Sequence, residues 1–194
     1  KVRTRLGMLD TVATLDATAL DWILSLPHPD WLITAMTLVS AVGQLAAVWL
    51  GLGALFAIVG RLSWMAYWQV VLSFILVFLT VNVVLKPMVA RERPSVVDTD
   101  VVSIYPTPSS HAFPSGHAAT AVAGAYGFSR LLPQARYGLW FLAVLIAGSR
   151  IYLGVHFPFD VLCGGLVGLA CAIFSTGGTV WYSRQPAIQV SQGP

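Results

Sequence analysis

Three clusters of polar residues interrupt an otherwise apolar chain of 194 residues. The first is Lys86-Pro-Met-Val-Ala-Arg91-Glu-Arg93-Pro94, the second Pro114-Ser115-Gly116-His117, and the third Ser149-Arg150 followed by His156 and Asp160. Lys86, Arg93 and Arg150 are cations with few acids near them in sequence. A guanidinium fork matches two phosphate oxygens at once and an ammonium adds a point charge, so this trio fits a phosphoryl group. Pro114 to His117 reads as a helix start, where the N–H groups of Ser115, Gly116 and His117 can point at an anion. Gly116 would let the backbone come close to it. The two histidines supply what else phosphoryl transfer needs, one to attack phosphorus and one to protonate the departing alkoxide.

Asp160 follows His156 by four residues, and Pro158 between them suits the first position of a helix. His156 is therefore expected just outside that helix and Asp160 in its first turn, with the carboxylate accepting the imidazole N–H. This spacing makes His156 the nucleophile. His117 has no acid at a comparable spacing, which suits a proton donor. The three cations would stabilise charge on the equatorial oxygens of the transition state. No carboxylate cluster suited to Mg²⁺ is visible, so neither a metal nor a cofactor is expected.

The elements that hold these groups are membrane helices. The chain is 57% hydrophobic and 10% charged, against about 25% charged in soluble domains, and a bilayer core asks for roughly 20 apolar residues per helix. Five runs qualify: Trp31 to Gly60, Trp64 to Leu85, Ser115 to Leu132, Ala135 to Leu153 and Pro158 to Tyr182. Lys86-Pro87 is expected to stop the second run. Before them, residues 9–26 place Leu9, Val12, Leu15, Ala19, Trp22 and Leu26 on one helical face, opposite Asp10, Thr14, Thr18 and Asp21. With Asp16 as well this stretch is too acidic to span, and it reads as an amphipathic helix lying along the interface. The fold class is all-α, a polytopic bundle forming one domain over 1–194, with its membrane core over 31–183. No signal-peptide pattern is visible. The net charge of +3 and pI near 9.1 carry little weight for nucleic acid, because several basic residues belong to the clusters.

Threading five crossings puts the Lys86–Pro114 and Arg150–Asp160 segments on one side. The other side receives Arg61, Arg130, Arg136 and Arg184 with no acid, a bias that marks it as cytoplasmic. Asp98 and Asp100 fall on the motif side, which would then face outward, with Asp16, Asp21 and Asp30 if the interfacial helix lies there. Lys1, Arg3 and Arg5 would lie outside too, against the rule, unless a further helix precedes them.

The clusters together resemble the type 2 phosphatidic acid phosphatase superfamily, the lipid phosphate phosphatases. Its pattern of Lys-x6-Arg-Pro, Pro-Ser-Gly-His and Ser-Arg-x5-His-x3-Asp is matched at Lys86, Arg93, Pro94, Pro114, Ser115, Gly116, His117, Ser149, Arg150, His156 and Asp160. The resemblance implies His156 as nucleophile, Asp160 as its partner, His117 as acid, and Lys86, Arg93, Arg150, Ser115 and Gly116 as phosphate ligands. Membrane members usually have six spanning helices, so a first helix is expected to be missing from the five counted. The implied activity is metal-independent hydrolysis of a lipid phosphate or diphosphate through a phosphohistidine. Candidate substrates are undecaprenyl diphosphate, phosphatidylglycerol phosphate, phosphatidic acid and lysophosphatidic acid. The expected location is a bacterial inner or plasma membrane, with the site outward. The partners expected are the bilayer and its lipid phosphate, with no nucleic acid and no protein partner. Transfer to a second lipid instead of water, and phosphate binding without catalysis, remain alternatives. The second explains two histidines poorly.

Several residues are expected to do less. His28 between prolines reads as solvated, and His111 as loop. Arg91 adds charge either to the pocket or to lipid headgroups. Gln44, Gln69 and Asn82 are expected to bond between helices, although Asn82, one turn before Lys86, could steer that lysine. Gly164, Gly165 and Gly168 should allow close packing. Trp31, Trp64 and Trp181 read as interfacial anchors. Cys163 and Cys171 lie two turns apart on one helix, roughly 12 Å, too far for a disulfide.

Overall fold

A computed structural model describes residues 2–43, 46–97 and 108–177, with side chains described from residue 11 onward. Expectations for Lys1, Gln44, Asp98, Asp100, Trp181 and Arg184, and for the side chains of Arg3, Arg5, Leu9 and Asp10, lie outside the described residues. Everything regular among those residues is helical: α1 Val2–Leu24, α2 Asp30–Val42, α3 Ala47–Ile58, α4 Trp64–Phe78, α5 Lys86–Val89, α6 Pro94–Val97, α7 Gly116–Leu131, α8 Arg136–Tyr152 and α9 Pro158–Ser175.

The bundle is organised around α7, whose alanines and glycines let other helices approach its backbone. It packs most extensively on α8 and α9, with α4 closing a third side. The contact with α9 is backbone-close. A Cβ on Gly164 would lie 2.3 Å from the Ser115 carbonyl oxygen, and one on Gly168 would lie 2.0 Å from that of Ala119. These two glycines answer the packing expected of them, whereas Gly165 would meet only Val122, at 3.4 Å. On the far side Trp49 of α3 lies fully buried over Gly124 and stacks on Phe128, ring centroids 5.9 Å apart. Cys163 and Cys171 are free thiols.

Three elements depart from the sequence reading. The charge-free run from Trp31 to Gly60 is two helices, α2 and α3, bent by 57° about a break that includes Gly43 and Ala46. Close packing helps to fix the break: a Cβ on Gly43 would lie 2.4 Å from Ile146 of α8. The second run does not stop at Lys86-Pro87. It passes from α4 through a seven-residue π-helix, Leu79–Leu85, into α5, and ends where Ala90 turns left-handed at φ 50° and donates its N–H to the Lys86 carbonyl. The wide π-turn loosens the register of backbone bonds, so the missing N–H of Pro87 breaks no regular α ladder. The third departure is α1. It runs as one helix from residue 2 to 24, and its inward face carries Asp16 and Leu20, while Val12, Leu15 and Trp22 are exposed.

The protein is an integral membrane protein with an all-helical bundle. By length and composition, Trp64–Val97 and Pro158–Ser175 are each able to cross a membrane, and the bent α2–α3 pair is a third if it is one span. Helices α7 and α8, of 16 and 17 residues, are about 24–26 Å long. They stand at or below the short end of the roughly 17–25 residues that a spanning helix uses. α7 meets protein on three sides, which relaxes the apolar composition a lipid-facing helix needs.

Candidate active site

The ends of α7, α8 and α9 that carry the motifs meet the π-helix and α5 around one cavity of about 400 Å³. Lys86, Arg93, Gly116, His117, Arg150 and His156 all line it. The three clusters, far apart in sequence, are thus brought together.

Local sequence explains each placement. Phe157 is extended and caps α9, Pro158 occupies the first turn where no N–H is required, and the Asp160 carboxylate accepts the Phe157 N–H at 3.0 Å. That leaves His156 one residue outside the helix with Asp160 beneath it, as its sequence predicts. His156 Nδ1 stands 3.5 Å from Asp160 Oδ2, an ion-pair distance, and makes no hydrogen bond among the described residues. On the opposite edge, Arg93 Nη1 approaches His156 Nε2 at 3.3 Å while also donating to the Val155 carbonyl at 2.7 Å. Because a guanidinium only donates, Nε2 is the unprotonated nitrogen here and Nδ1 carries the hydrogen, facing the carboxylate. Burial, opposed by the nearby Asp160 carboxylate and reinforced by the charges of Arg93 and Arg150, lowers the His156 pKa to about 4. At neutral pH Nε2 is therefore unprotonated, and its lone pair can serve an electrophile in the cavity once the long 3.3 Å contact from Arg93 gives way.

The cations are anchored by polar groups, two of them on one serine. Arg93 donates through Nε to the Ser110 carbonyl at 2.8 Å and through Nη2 to the Ser110 hydroxyl at 3.2 Å, and Lys86 Nζ donates to that same hydroxyl at 3.1 Å. Arg150, almost fully buried on α8, donates to the Ser40 hydroxyl of α2. Neither serine was singled out from sequence. Ser40 was the more findable, as a polar side chain within an apolar run. Ser110 sits in an unremarkable loop and only the fold brings it to the cations.

Ser115 departs from expectation. It is fully buried and does not line the cavity. Its N–H donates to the Asp160 carbonyl at 2.9 Å, and its hydroxyl caps α7 by accepting the Ala118 N–H. The close α7–α9 contact has used that donor, which leaves only the groups at Gly116 and His117 at this helix start to face the cavity. Gly116 does line the cavity, and a Cβ there would meet nothing nearer than Val81 at 3.8 Å. Packing alone does not require a glycine at this position. His117 sits in the first turn of α7, and its ring has no hydrogen-bond partner among the described residues. An imidazole free on both nitrogens is able to exchange a proton with a group in the cavity.

Of the lesser residues, Asn82 and Gln69 make no hydrogen bond among the described residues, contrary to the interhelical role expected. Asn82 instead lines the cavity beside Lys86, one turn away on the π-helix. His28 is half-buried rather than solvated, stacked on Tyr152 at 4.3 Å. His111 is exposed. Arg91 points neither into the cavity nor out to headgroups. It ion-pairs with Asp160 Oδ1 and Asp16 Oδ2, each at 2.7 Å.

Away from the cations the cavity wall is apolar. Leu50, Val71, Phe74, Ile75 and Phe78 continue it along α3 and α4.

The chain is similar to known proteins in sequence and in fold. The chain is 34% identical over 139 residues to undecaprenyl-diphosphatase of Sulfolobus acidocaldarius, covering 67% of this chain and 65% of that one. It is 37% identical over 138 residues to decaprenylphosphoryl-5-phosphoribose phosphatase of Mycolicibacterium smegmatis, covering 68% of this chain and 71% of that one. It therefore spans about two thirds of the length of these curated relatives. Among solved structures, LpxE of Aquifex aeolicus superimposes with a TM-score of 0.73 at 28% identity, over 82% of this chain and 93% of that one. A transmembrane PAP2-type phosphatidylglycerolphosphate phosphatase of Bacillus subtilis gives 0.71 at 28% identity, over 87% and 86%. The family model described as the PAP2 superfamily matches residues 66–184, more than half of the sequence, and the chain belongs to that superfamily.

Proposed function

We propose that this protein hydrolyses a lipid phosphate or diphosphate through a phosphohistidine on His156, without a metal. The observation that carries the reading is one cavity with two chemistries: Lys86, Arg93, Arg150, His117 and His156 at one end, and an apolar wall along α3 and α4 leading from it. A phosphate bonded to a hydrocarbon chain matches both ends at once. The related proteins named above, which act on prenyl and glycerolipid phosphates by their names, fit the same description.

In the proposed reaction the phosphoryl oxygens lie among Lys86, Arg93 and Arg150, with the helix start at Gly116 completing the cradle. The Nε2 lone pair of His156 attacks phosphorus in line with the leaving oxygen, and the P–O bond to the lipid breaks. Charge grows on the equatorial oxygens, where the three cations stabilise it more than in the ground state. A proton held on His117 passes to the departing oxygen. Positive charge formed on the phosphorylated imidazole is balanced by Asp160 at Nδ1. Water then attacks the phosphohistidine, giving its proton back to His117. The P–N bond breaks and inorganic phosphate leaves. Arg61, Arg130 and Arg136 lie at the helix ends opposite these groups, which supports an outward-facing site in a bacterial inner or plasma membrane. On this reading α7 and α8 are crossings too.

The test is phosphate release from a panel of prenyl diphosphate, phosphatidylglycerol phosphate, phosphatidic acid and lysophosphatidic acid, with purified protein in detergent and EDTA present. Release from at least one, with an acid-labile phosphoenzyme that His156→Ala lacks, is expected. Vanadate should inhibit, since its trigonal bipyramid resembles the transition state. A Mg²⁺ requirement, or a phosphoenzyme that survives in His156→Ala, refutes the mechanism. Phosphate appearing on an added acceptor lipid instead of in solution would show phosphotransfer.

A further inference from the structure

Arg91 stands at the centre of an ion-pair chain that the proposed reaction does not use. Its Nη1 donates to Asp160 Oδ1 at 2.7 Å and its Nη2 to Asp16 Oδ2 at 2.7 Å. Its guanidinium lies 4.1 Å above the Phe157 ring, between the two acids. Asp16 is itself committed, because its Oδ1 accepts the N–H of Phe159 at 2.8 Å, in the first turn of α9. Asp16 and Asp160 are both buried, and Arg91 is only partly exposed. A largely buried Asp–Arg–Asp triad of this kind costs desolvation that its hydrogen bonds must offset, and removing one member strands the others.

Asp160 thereby divides its carboxylate. Oδ2 serves His156 and the Phe157 N–H, whereas Oδ1 serves Arg91. The charged groups facing His156 are Asp160 from α9, Arg150 from α8 and Arg93 from the segment after α5, with Lys86 of α5 and His117 of α7 also lining the cavity. Arg91 faces none of these but Asp160. Any effect it has on His156 must pass through that carboxylate.

We propose that Arg91, clamped by Asp16 of α1, is a positioning residue that sets both the orientation and the effective charge of Asp160 toward His156. On this view α1 is part of the catalytic unit, not only a surface helix. The inference rests on the hydrolysis proposed above. Arg91 does not touch the reacting atoms. It fixes Oδ2 on the imidazole by holding Oδ1, and it withdraws part of the negative charge that would otherwise favour a protonated His156.

Both parts are measurable. Arg91→Gln leaves Asp160 free to turn and more negative toward His156, so the turnover number should fall about 10- to 100-fold, the size usual for outer groups that orient a reactive ligand. KM should change by less than about threefold, because the phosphate ligands are untouched. The acidic limb of the kcat/KM profile should move up by about one pH unit, since protonated His156 is no nucleophile and its proton affinity has risen. Arg91→Lys restores the charge without the fork, so its acidic limb should stay at the wild-type position while turnover remains reduced. Asp16→Asn loosens the clamp but leaves Arg91 on Asp160. It should lower turnover without moving the limb upward.

The substrate is whichever panel lipid releases phosphate from the wild type, and folding is checked by thermal melting in detergent. If the wild type releases no phosphate from any lipid, the proposed function fails. If the wild type is active and Arg91→Gln keeps its turnover, or loses it with no shift of the limb, the positioning role is overturned. Should Arg91→Gln not fold, Asp16→Asn and Arg91→Lys decide: wild-type turnover in both overturns the proposal.

Discussion

Gly164 gives the sharpest test of how packing sets the site. Adding a methyl group there puts a Cβ 2.3 Å from the Ser115 carbonyl oxygen, where ordinary contact begins at 3.4 Å. The obstacle is backbone at the N-cap of α7, so no side chain can swing aside, and the two helices must separate by about 1 Å. The same end of α7 carries His117, and the Ser115 N–H is bonded to Asp160. Separation would therefore move His117 away from His156 and Asp160 together. Overpacking of this kind typically costs about 1–3 kcal/mol, and a misplacement near 1 Å can cost about 100-fold in rate. Gly164→Ala should then melt several degrees lower in detergent and hydrolyse a lipid phosphate about 100-fold more slowly. Gly165→Ala, one residue along, would meet only Val122 at 3.4 Å and should match the wild type in both. Circular-dichroism melts and initial rates under saturating substrate make the comparison. Wild-type stability and turnover in Gly164→Ala, or equal losses in both variants, would refute the claim that this contact sets the geometry.

Removal of His117 should depend on the leaving group: His117→Ala is expected to lose about 10²–10⁴-fold on a lipid phosphate, whose alkoxide needs a proton, and far less on nitrophenyl phosphate. His156→Ala should lose both, and single-turnover rates with the two substrates check the contrast. Gly116→Ala should fold normally, since its Cβ meets nothing nearer than 3.8 Å, yet bind vanadate more weakly if the anion needs that space. Stability should also carry the signature of His156, whose folded pKa is about 4 against an unfolded value near 6.5. Its contribution is fully present above the unfolded value and is lost as the pH falls through about 6.5 toward 4, because only the unfolded chain takes up the proton. Melting temperature should fall over that window, and His156→Gln should flatten the fall.

The local setting of each polar cluster is legible in sequence. Pro158 and the four-residue spacing predict His156 outside a helix and Asp160 in its first turn, because capping and proline preferences act within a few residues. Pro114-Ser-Gly-His predicts the start of α7 for the same reason, and the apolar runs predict an all-helical membrane bundle. What pairs with what across the chain was another matter. The bend between α2 and α3 and the π-helix before Lys86 leave the apolar pattern unchanged, so hydropathy reads straight through both. Ser115 looks like an anion ligand in sequence, but the Gly164 contact brings α9 so close that its N–H is taken by Asp160. Asp16 and Arg91 are 75 residues apart, and each alone reads as a charge near a membrane surface. Only the tertiary structure pairs them and links both to Asp160 through the Arg91 guanidinium, because an ion pair is a property of distance in space, and sequence records distance along the chain.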